Sequence, residues 1–180
     1  MGYGGVKMNT AKENPMKEVR IEKITLNIGV GAGGEPLEKA STLLNRVSGA
    51  KPVVTLAKVR NPTFHIKKGD PIGTKVTLRG KRAEDVLKNS LKASGNQIPK
   101  KSFDVFGNVS FGVKEYIDFP GLKYDPDLGI MGFDVCITLV RPGRRVSVRR
   151  RMPGKVGKSH KIKKEEAMKF MIDKFKIDVE

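Results

Sequence analysis

The stretch VRIEKITLNIGV, residues 19–30, decides the fold class of this protein. From residue 23 onward, four apolar side chains alternate with polar residues or glycine: Ile24, Leu26, Ile28 and Val30. Alternation with a period of two is typical of a β-strand that buries one face and leaves the other face polar. The pattern therefore predicts that Thr25 and Asn27 point away from the core, onto a face that is free to meet a partner.

The segments on the C-terminal side of this strand predict an α+β fold. The predicted elements are a helix at 35–49, a strand at 51–57, a hairpin at 64–80, a helix at 81–95, short strands at 102–119, a strand at 133–140 and a helix at 163–175. Pro36 suits the first turn of the first helix, and Gly49 suits its C-terminal cap. Because strands and helices do not alternate strictly, we expect a mostly antiparallel sheet with helices packed on one face and the other face open.

Positive charge is concentrated in two segments. The chain holds 36 Lys and Arg against 19 Asp and Glu, a net charge of +17. Residues 57–82 carry a net charge of +7 and residues 141–164 carry +11 with no acid, whereas the other 130 residues sum to −1. A long run of one sign repels itself unless an anionic partner neutralises it. The distribution indicates a polyanion, and RNA is the partner we expect on the open face.

The C-terminal basic segment has a composition that is typical of an RNA-binding segment. Its sequence RPGRRVSVRRRMPGKVGKSHKIKK contains three glycines and two prolines, which exclude a long regular helix. Arginine donates bidentate hydrogen bonds to phosphate. An extended segment of this kind follows a phosphate surface and orders on binding. The predicted anchor residues are Arg141, Arg144, Arg145, Arg149, Arg150, Arg151, Lys155 and Lys158. A membrane surface would instead favour interleaved aromatic residues, which are absent here, so no membrane partner is expected.

The domain organisation is simple. A length of 180 residues suits one domain. Residues 1–15 are Gly-rich and polar, and they predict a flexible N-terminal segment without the apolar stretch of a secretory signal. Residues 16–180 predict a single α+β RNA-binding domain with a basic loop at 141–163 before the last helix. Lone Cys136 excludes an internal disulfide, which fits a reducing cytoplasm.

The strongest enzyme signal is GVGAGG. Gly29, Gly31 and Gly34 match G-x-G-x-x-G between a strand and a helix, the local context of a dinucleotide site. The next strand ends without an acid for a ribose, and a hairpin follows where a crossover helix is needed. A structural turn is therefore favoured. Cys136, within FDVCITLV, is interpreted as a small buried strand residue. The sequence predicts no catalytic residue, no metal site, no cofactor and no enzyme.

Several blocks together carry a family resemblance. ITLNIGVG, KPVVT, GDPIGTKVTLRG and KSFDVFGNVSFGVKE with its following IDFP stand in the order and spacing of the large-subunit ribosomal protein L-five family, which this chain resembles. The blocks span 19–120, and the later strand and helix extend the likeness to about residue 176. AKVRNPTFHI and the long basic segment depart from bacterial members and are similar to the archaeal and eukaryotic-type branch.

The resemblance implies partners and site residues. It implies binding to 5S ribosomal RNA in the central protuberance of the large subunit through Asn27, Thr55, Lys58, Thr77 and Arg79. It implies that a loop at 60–73 reaches the transfer RNA in the peptidyl site through Arg60, His65, Lys67 and Lys68, with the two lysines near the tip. Other implied partners are large-subunit ribosomal RNA, neighbouring central-protuberance proteins and the small-subunit head protein. Two alternatives stay open, a general RNA binder or RNA chaperone outside the ribosome and a nucleotide-dependent enzyme.

Overall fold

The computed structural model describes residues 14–31 and 33–179. In chain order, the elements of these residues are β1 (Arg20–Gly29), α1 (Glu35–Ser48), β2 (Val53–Leu56), β3 (Pro71–Leu78), α2 (Lys81–Ala93), β4 (Gln97–Ile98), β5 (Val109–Val113), β6 (Phe133–Val140), α3 (Arg145–Val148), α4 (Lys164–Phe175) and β7 (Asp178–Val179). Short 3-10 turns lie at Pro15–Lys17, Lys100–Ser102, Tyr116–Asp118 and Lys158–His160.

The main sheet has five antiparallel strands in the spatial order β2-β3-β1-β6-β5. The central strand β1 pairs with β3 on one side and with β6 on the other, so that Asn27 lies between Lys75 and Asp134. A separate two-stranded parallel sheet joins β4 and β7. The predicted α+β architecture with a mostly antiparallel sheet is confirmed.

The helices bury one face of this sheet. Ile24, Leu26 and Ile28 of β1 are buried in one cluster with the inward side chains of α1, α2 and α4, among them Leu43, Leu44, Leu87, Leu91 and Met171. Burying one such side chain contributes roughly 1.5–3 kcal/mol. A slip of one residue in β1 would move all three isoleucine and leucine side chains to the other face, so the core fixes the strand register. The opposite, open face is thereby fixed as well.

The predicted helix ends agree closely with the structure. α1 begins with Glu35 and Pro36, and it ends before Gly49, whose φ of 62° is left-handed and whose N–H donates to the Asn45 carbonyl at 2.8 Å. Glu165 and Glu166 lie in the first turn of α4, where the helix dipole favours acidic side chains. The Glu166 carboxylate there accepts a hydrogen bond from the Lys163 N–H at 3.1 Å.

The prediction of a hairpin within residues 64–80 is wrong in one arm. β3 begins at Pro71 and pairs with β2, and residues 57–70 form the loop between them. The base of this loop is closed by the Ala57 N–H, which donates to the Asp70 carbonyl at 2.8 Å, and by the Gly69 N–H, which donates to the Ala57 carbonyl at 2.9 Å. Ala57 therefore pairs with residues 69–70 across the base of the loop, and the strand that pairs with β3 is β2, not a strand at residues 64–66.

Cys136 and the N-terminal segment differ from their predictions in different ways. The interpretation of Cys136 as a buried strand residue is wrong, because its side chain is exposed on the open face while Val135 and Ile137 are buried. Most of the predicted flexible segment at 1–15 lies outside the described residues. Of that segment the structure describes Asn14 and Pro15, and the Asn14 side chain accepts a hydrogen bond from the Met16 N–H at 3.0 Å.

Candidate RNA-binding surface

The open face of the sheet presents a continuous polar surface. Cross-strand partners share a face, so the register defines its rows. One row contains Val53, Lys75, Asn27, Asp134 and Gly112, and the next contains Thr77, Thr25, Cys136 and Ser110. Hydroxyl, amide, amine, carboxylate and thiol side chains therefore cover the centre of the face, where a partner rich in hydrogen-bonding groups has access to them.

Glycines at one end of the open face leave the sheet there without projecting side chains. Gly73 of β3 pairs with Gly29 of β1 and with Thr55 of β2. A Cβ at Gly73 would lie 2.5 Å from the Ile28 carbonyl oxygen and 3.2 Å from Thr55 Oγ1, so the strands approach too closely there for any other residue. The result is a flat area beside Asn27 on which a nucleic acid backbone finds no obstructing side chain.

A shallow depression occupies the other end of the open face. It has a volume of about 640 Å³, and its lining includes Thr25, Asn27, Ser102, Ser110 and Asp134. The depression is wide and open, and polar side chains line it together with Phe111 and Cys136, so it differs from the enclosed clefts in which enzymes bind small molecules. Its shape and chemistry suit a sugar–phosphate backbone or an RNA groove.

The structure brings three of the predicted 5S contacts together. Asn27 and Thr77 lie on adjacent strands of the open face, and Thr55 lies on the same face at the edge strand β2. The other two follow the ends of strands: Arg79 is exposed directly after β3, and Lys58 is exposed in the loop after β2. The five residues thus border one surface, although their contacts with 5S RNA stay a prediction.

Sequence reasoning placed Thr25 on the open face without predicting a contact there, and it did not single out Lys75, Ser110 and Asp134. All four lie among the predicted contacts on this face. The signal was available, since the alternation in FDVCITLV assigns Asp134, Cys136 and Thr138 to the face opposite Phe133 and Val135. The surrounding sheet still partly desolvates the exposed Cys136 thiol, and this desolvation, together with the Asp134 carboxylate, raises the pKa of the thiol above its ordinary value.

The loop at 57–70 carries its charges on the limbs and not at the tip. Asn61 and Ile66 form an antiparallel bridge, with backbone hydrogen bonds of 2.9 and 3.0 Å, so residues 61–66 are the tip. Lys67 and Lys68 lie on the returning limb, between this bridge and the closed base. The two lysines therefore flank the tip, as expected, and His65, predicted to face transfer RNA, lies within it.

The start of the basic segment, residues 141–163, is tied to the body of the protein. The side chain of Arg141 is only 12% exposed and forms an ion pair of 3.0 Å with Glu166. It also donates to the carbonyls of Lys17 and Ser159, at 3.0 and 3.4 Å. The hydrogen bond from the Lys163 N–H and the nearby Arg141 guanidinium lower the pKa of Glu166 below its ordinary value. Arg141 is thus engaged inside the protein and is not free to bind RNA.

A second arginine of the predicted anchor is also engaged internally. Arg144 forms an ion pair with Glu22 of β1, and His160 Nε2 lies 2.8 Å from the Pro142 carbonyl oxygen. These contacts hold the segment against the sheet and give it a defined path in the protein alone. The remaining predicted anchor residues are exposed: Arg145, Arg149, Arg150, Arg151, Lys155 and Lys158. We therefore revise the predicted anchor to these six.

The glycine motif does not build a dinucleotide site. Both neighbours of β1 in the sheet are antiparallel to it, whereas a dinucleotide fold needs a parallel strand after the crossover helix. The Gly31 N–H donates to the Ile72 carbonyl at 2.9 Å, so the turn after β1 closes on β3. The structural interpretation of GVGAGG is confirmed, and the nucleotide-dependent alternative has no support in the fold.

Residues 14–31 and 33–179 contain neither a membrane-spanning helix nor a metal-binding cluster. Every helix in these ranges is too short or too polar to span a lipid bilayer. The same residues contain no cluster of three His, Cys, Asp or Glu side chains close enough to hold a metal ion.

A polar open sheet beside a basic loop and an arginine-rich segment defines a small α+β nucleic-acid-binding protein. Comparison with family models narrows this class. Residues 14–67 match the model described as "Ribosomal protein L5", and residues 71–170 match the model for the C-terminus of the same ribosomal family. The chain therefore belongs to the ribosomal protein L5 family, a family of structural, non-enzymatic proteins.

Individual relatives agree with this assignment along almost the whole chain. "Large ribosomal subunit protein uL5" of Sulfurisphaera tokodaii is 52% identical over 171 residues, covering 94% of this chain and 97% of the relative. The proteins of the same name from Methanobrevibacter smithii and Nitrosopumilus maritimus are 47% and 43% identical, covering 92% and 96% of this chain and 97% and 99% of the relatives. These archaeal relatives confirm the expected branch of the family.

Proposed function

We propose that this chain is a structural component of the large ribosomal subunit that binds 5S ribosomal RNA in the central protuberance through the open face of its sheet. The observation that carries the proposal is the flat polar surface around Asn27, with Lys75 beside it and a wide depression next to it. Short polar side chains on a rigid sheet recognise RNA through its shape, its 2′-hydroxyls and its phosphates. Asn27 and Thr77 supply the directional hydrogen bonds, and Lys75 and Arg79 supply charge.

The loop at 57–70 extends this proposal to the peptidyl-site transfer RNA. Its limbs carry Lys58, Arg60, Lys67 and Lys68, all exposed. Asp70, the one acid of the loop, accepts a hydrogen bond from the Lys67 N–H at 2.7 Å. A loop held at its base and positively charged along both limbs reaches beyond the sheet toward a second RNA while the sheet stays on the first.

The basic segment contributes a further anchor, for which large-subunit ribosomal RNA is the proposed partner. Its six exposed Lys and Arg side chains lie on a segment whose start is fixed to the protein by the ion pairs of Arg141 and Arg144. Phosphate contacts of this kind position a protein on RNA without reading its sequence. Neighbouring central-protuberance proteins and the small-subunit head protein are the proposed protein partners of the remaining surface.

The alternative is a general RNA binder or RNA chaperone outside the ribosome, and the exposed bases of the basic segment would serve it equally well. The two functions differ in specificity. The decisive experiment titrates the full chain with 5S ribosomal RNA and with an unrelated RNA of equal length, from low to physiological salt. Electrostatic affinity falls for both RNAs as salt rises, because counterions compete for the phosphates.

We expect 5S binding to survive at a salt concentration where binding of the control RNA is lost. Asn27→Ala is expected to reduce discrimination between the two RNAs, whereas Lys75→Ala is expected to weaken both and to reduce the salt slope by about one. If the two wild-type curves fall together, the chain alone is a general polycation, and the proposal of specific 5S recognition by the sheet is contradicted.

A further inference from the structure

The tip of the loop at 57–70 differs in chemistry from the positively charged limbs on either side of it. Residues 62–65 read Pro-Thr-Phe-His and carry no Lys, Arg, Asp or Glu. The phenyl ring of Phe64 is 69% exposed, whereas Ile66 two residues later is half-buried. We infer that Phe64 is a base-stacking residue, so that the tip binds a flat, exposed nucleobase surface of a folded RNA while the lysines of the limbs bind its phosphates. This inference rests on the proposed contact of the loop with RNA.

Short-range hydrogen bonds hold the tip in one shape. The His65 N–H donates to the Pro62 carbonyl at 3.1 Å, which closes a β-turn with Thr63 and Phe64 at its centre. The Asn61 side chain accepts from the Thr63 N–H at 3.1 Å, and the bridge between Asn61 and Ile66 closes the turn from below. Pro62 removes backbone freedom from the unbound loop as well. A side chain displayed on a preorganised turn loses little entropy on binding.

The exposure of Phe64 calls for a partner. A large apolar ring contributes most to stability when it is buried, and here the ring stands on the outermost turn of a loop. An aromatic ring stacks on the face of any nucleobase. Such a contact tolerates many base sequences, as a protein that meets successive transfer RNAs requires.

The surroundings of Phe64 favour RNA over an apolar protein surface as the partner. Four basic side chains flank the tip on the two limbs: Lys58, Arg60, Lys67 and Lys68. Asp70 is the only acidic residue of the loop, and its carboxylate accepts a hydrogen bond from the Lys67 N–H at the base of the loop. The ring is therefore displayed within a field of positive charge, which attracts a polyanion that also offers flat aromatic surfaces.

The test uses large ribosomal subunits assembled with the full-length chain and its variants, and it measures dissociation of deacylated transfer RNA from the peptidyl site across a salt series. Phe64→Leu keeps an apolar side chain and removes the ring, so dissociation should be roughly tenfold faster with an unchanged salt slope. Phe64→Tyr keeps the ring and should behave as the wild type. Lys68→Ala is the matched control for charge and should lower the salt slope by about one.

The outcomes separate the inference from the proposed function. If Lys68→Ala weakens binding and Phe64→Leu does not, the loop contacts transfer RNA electrostatically and stacking is overturned. If neither variant changes dissociation, the transfer RNA contact of the loop is overturned together with the stacking. Binding of the isolated Phe64→Leu chain to 5S ribosomal RNA should equal that of the wild type, which establishes that the variant is folded and that the sheet surface is intact.

Discussion

The guanidinium of Arg141 lies 3.0 Å from the carboxylate of Glu166, and this pair joins the start of the basic segment to the first turn of α4. Glu166 at the same time accepts a hydrogen bond from the Lys163 N–H at 3.1 Å, which satisfies one backbone donor at the start of that helix. The ion pair fixes the start of the basic segment to α4, because it neutralises the most buried arginine of that segment within the protein. The exposed arginines that follow then extend from a fixed origin.

Glu166→Gln should lower the free energy of unfolding by about 1 kcal/mol, since it weakens both a helix cap and a partly exposed ion pair. The measurement is urea unfolding at neutral pH. Glu165→Gln is the matched control, because Glu165 is an exposed neighbour in the same helical turn, and it should change stability by less than about 0.5 kcal/mol. Equal losses for the two variants would contradict the role of Glu166.

The stability difference between wild type and Glu166→Gln should also depend on pH. The folded-state pKa of Glu166 lies below its ordinary value of 4.5, so the folded protein favours the ionised carboxylate. Its contribution is therefore fully present above about pH 4.5 and is lost as the pH falls through the lowered pKa. The stability difference between wild type and Glu166→Gln should be constant between pH 6 and 8 and should shrink in acid.

Gly73→Ala should destabilise the sheet by roughly 1–3 kcal/mol, because its Cβ would lie 2.5 Å from the Ile28 carbonyl oxygen and would force β1 and β3 apart. Gly29→Ala is the matched control on the opposite strand, since an added Cβ there meets no atom within 4 Å. Thermal unfolding of the two variants provides the comparison. A Gly73→Ala protein as stable as Gly29→Ala would refute the close approach of the strands.

Arg150→Ala with Arg151→Ala should reduce the salt slope of RNA binding by about two and leave stability unchanged, since both side chains are exposed. Lys88→Ala with Lys92→Ala on α2 removes the same charge from an exposed part of the helical layer and serves as the control. The check is a filter-binding titration with large-subunit ribosomal RNA, the proposed partner of the basic segment, at several salt concentrations. An equal drop for both pairs would mean that net charge, and not the basic segment, governs binding.

Cys136 provides a chemical probe of the open face. Its raised pKa leaves little thiolate at neutral pH, so alkylation should be slower than that of free cysteine and should accelerate as the pH rises. Binding of 5S ribosomal RNA should suppress the reaction further, because Cys136 lies beside Thr25 and Ser110 on the proposed contact surface. Mass spectrometry of the alkylated chain gives the rate. Unchanged labelling in the complex would place the RNA elsewhere.

The sequence predicted what local periodicity controls and missed what depends on distant partners. The face of Asn27 followed from alternation in β1, and the ends of α1 followed from Pro36 and Gly49. The alternation in FDVCITLV also places Cys136 on the open face, but cysteine counts as an apolar residue and was therefore interpreted as buried. Arg141 and Arg150 are the same amino acid in one basic run, and only the folded chain brings Glu166 to one of them. The tip of the loop likewise depended on the bridge between Asn61 and Ile66.

The central claim, that the open face of the sheet holds the RNA, is tested most directly by placing the same negative charge on each side of the molecule. Thr77→Glu adds a carboxylate to the open face, and Thr42→Glu adds one to an exposed position of α1 on the helical side. Affinity for 5S ribosomal RNA at physiological salt is the measurement. We expect at least roughly tenfold weaker binding for Thr77→Glu and little change for Thr42→Glu, because repulsion of phosphate is screened beyond about 8 Å at this salt concentration. Equal affinity for the two variants would contradict the claim.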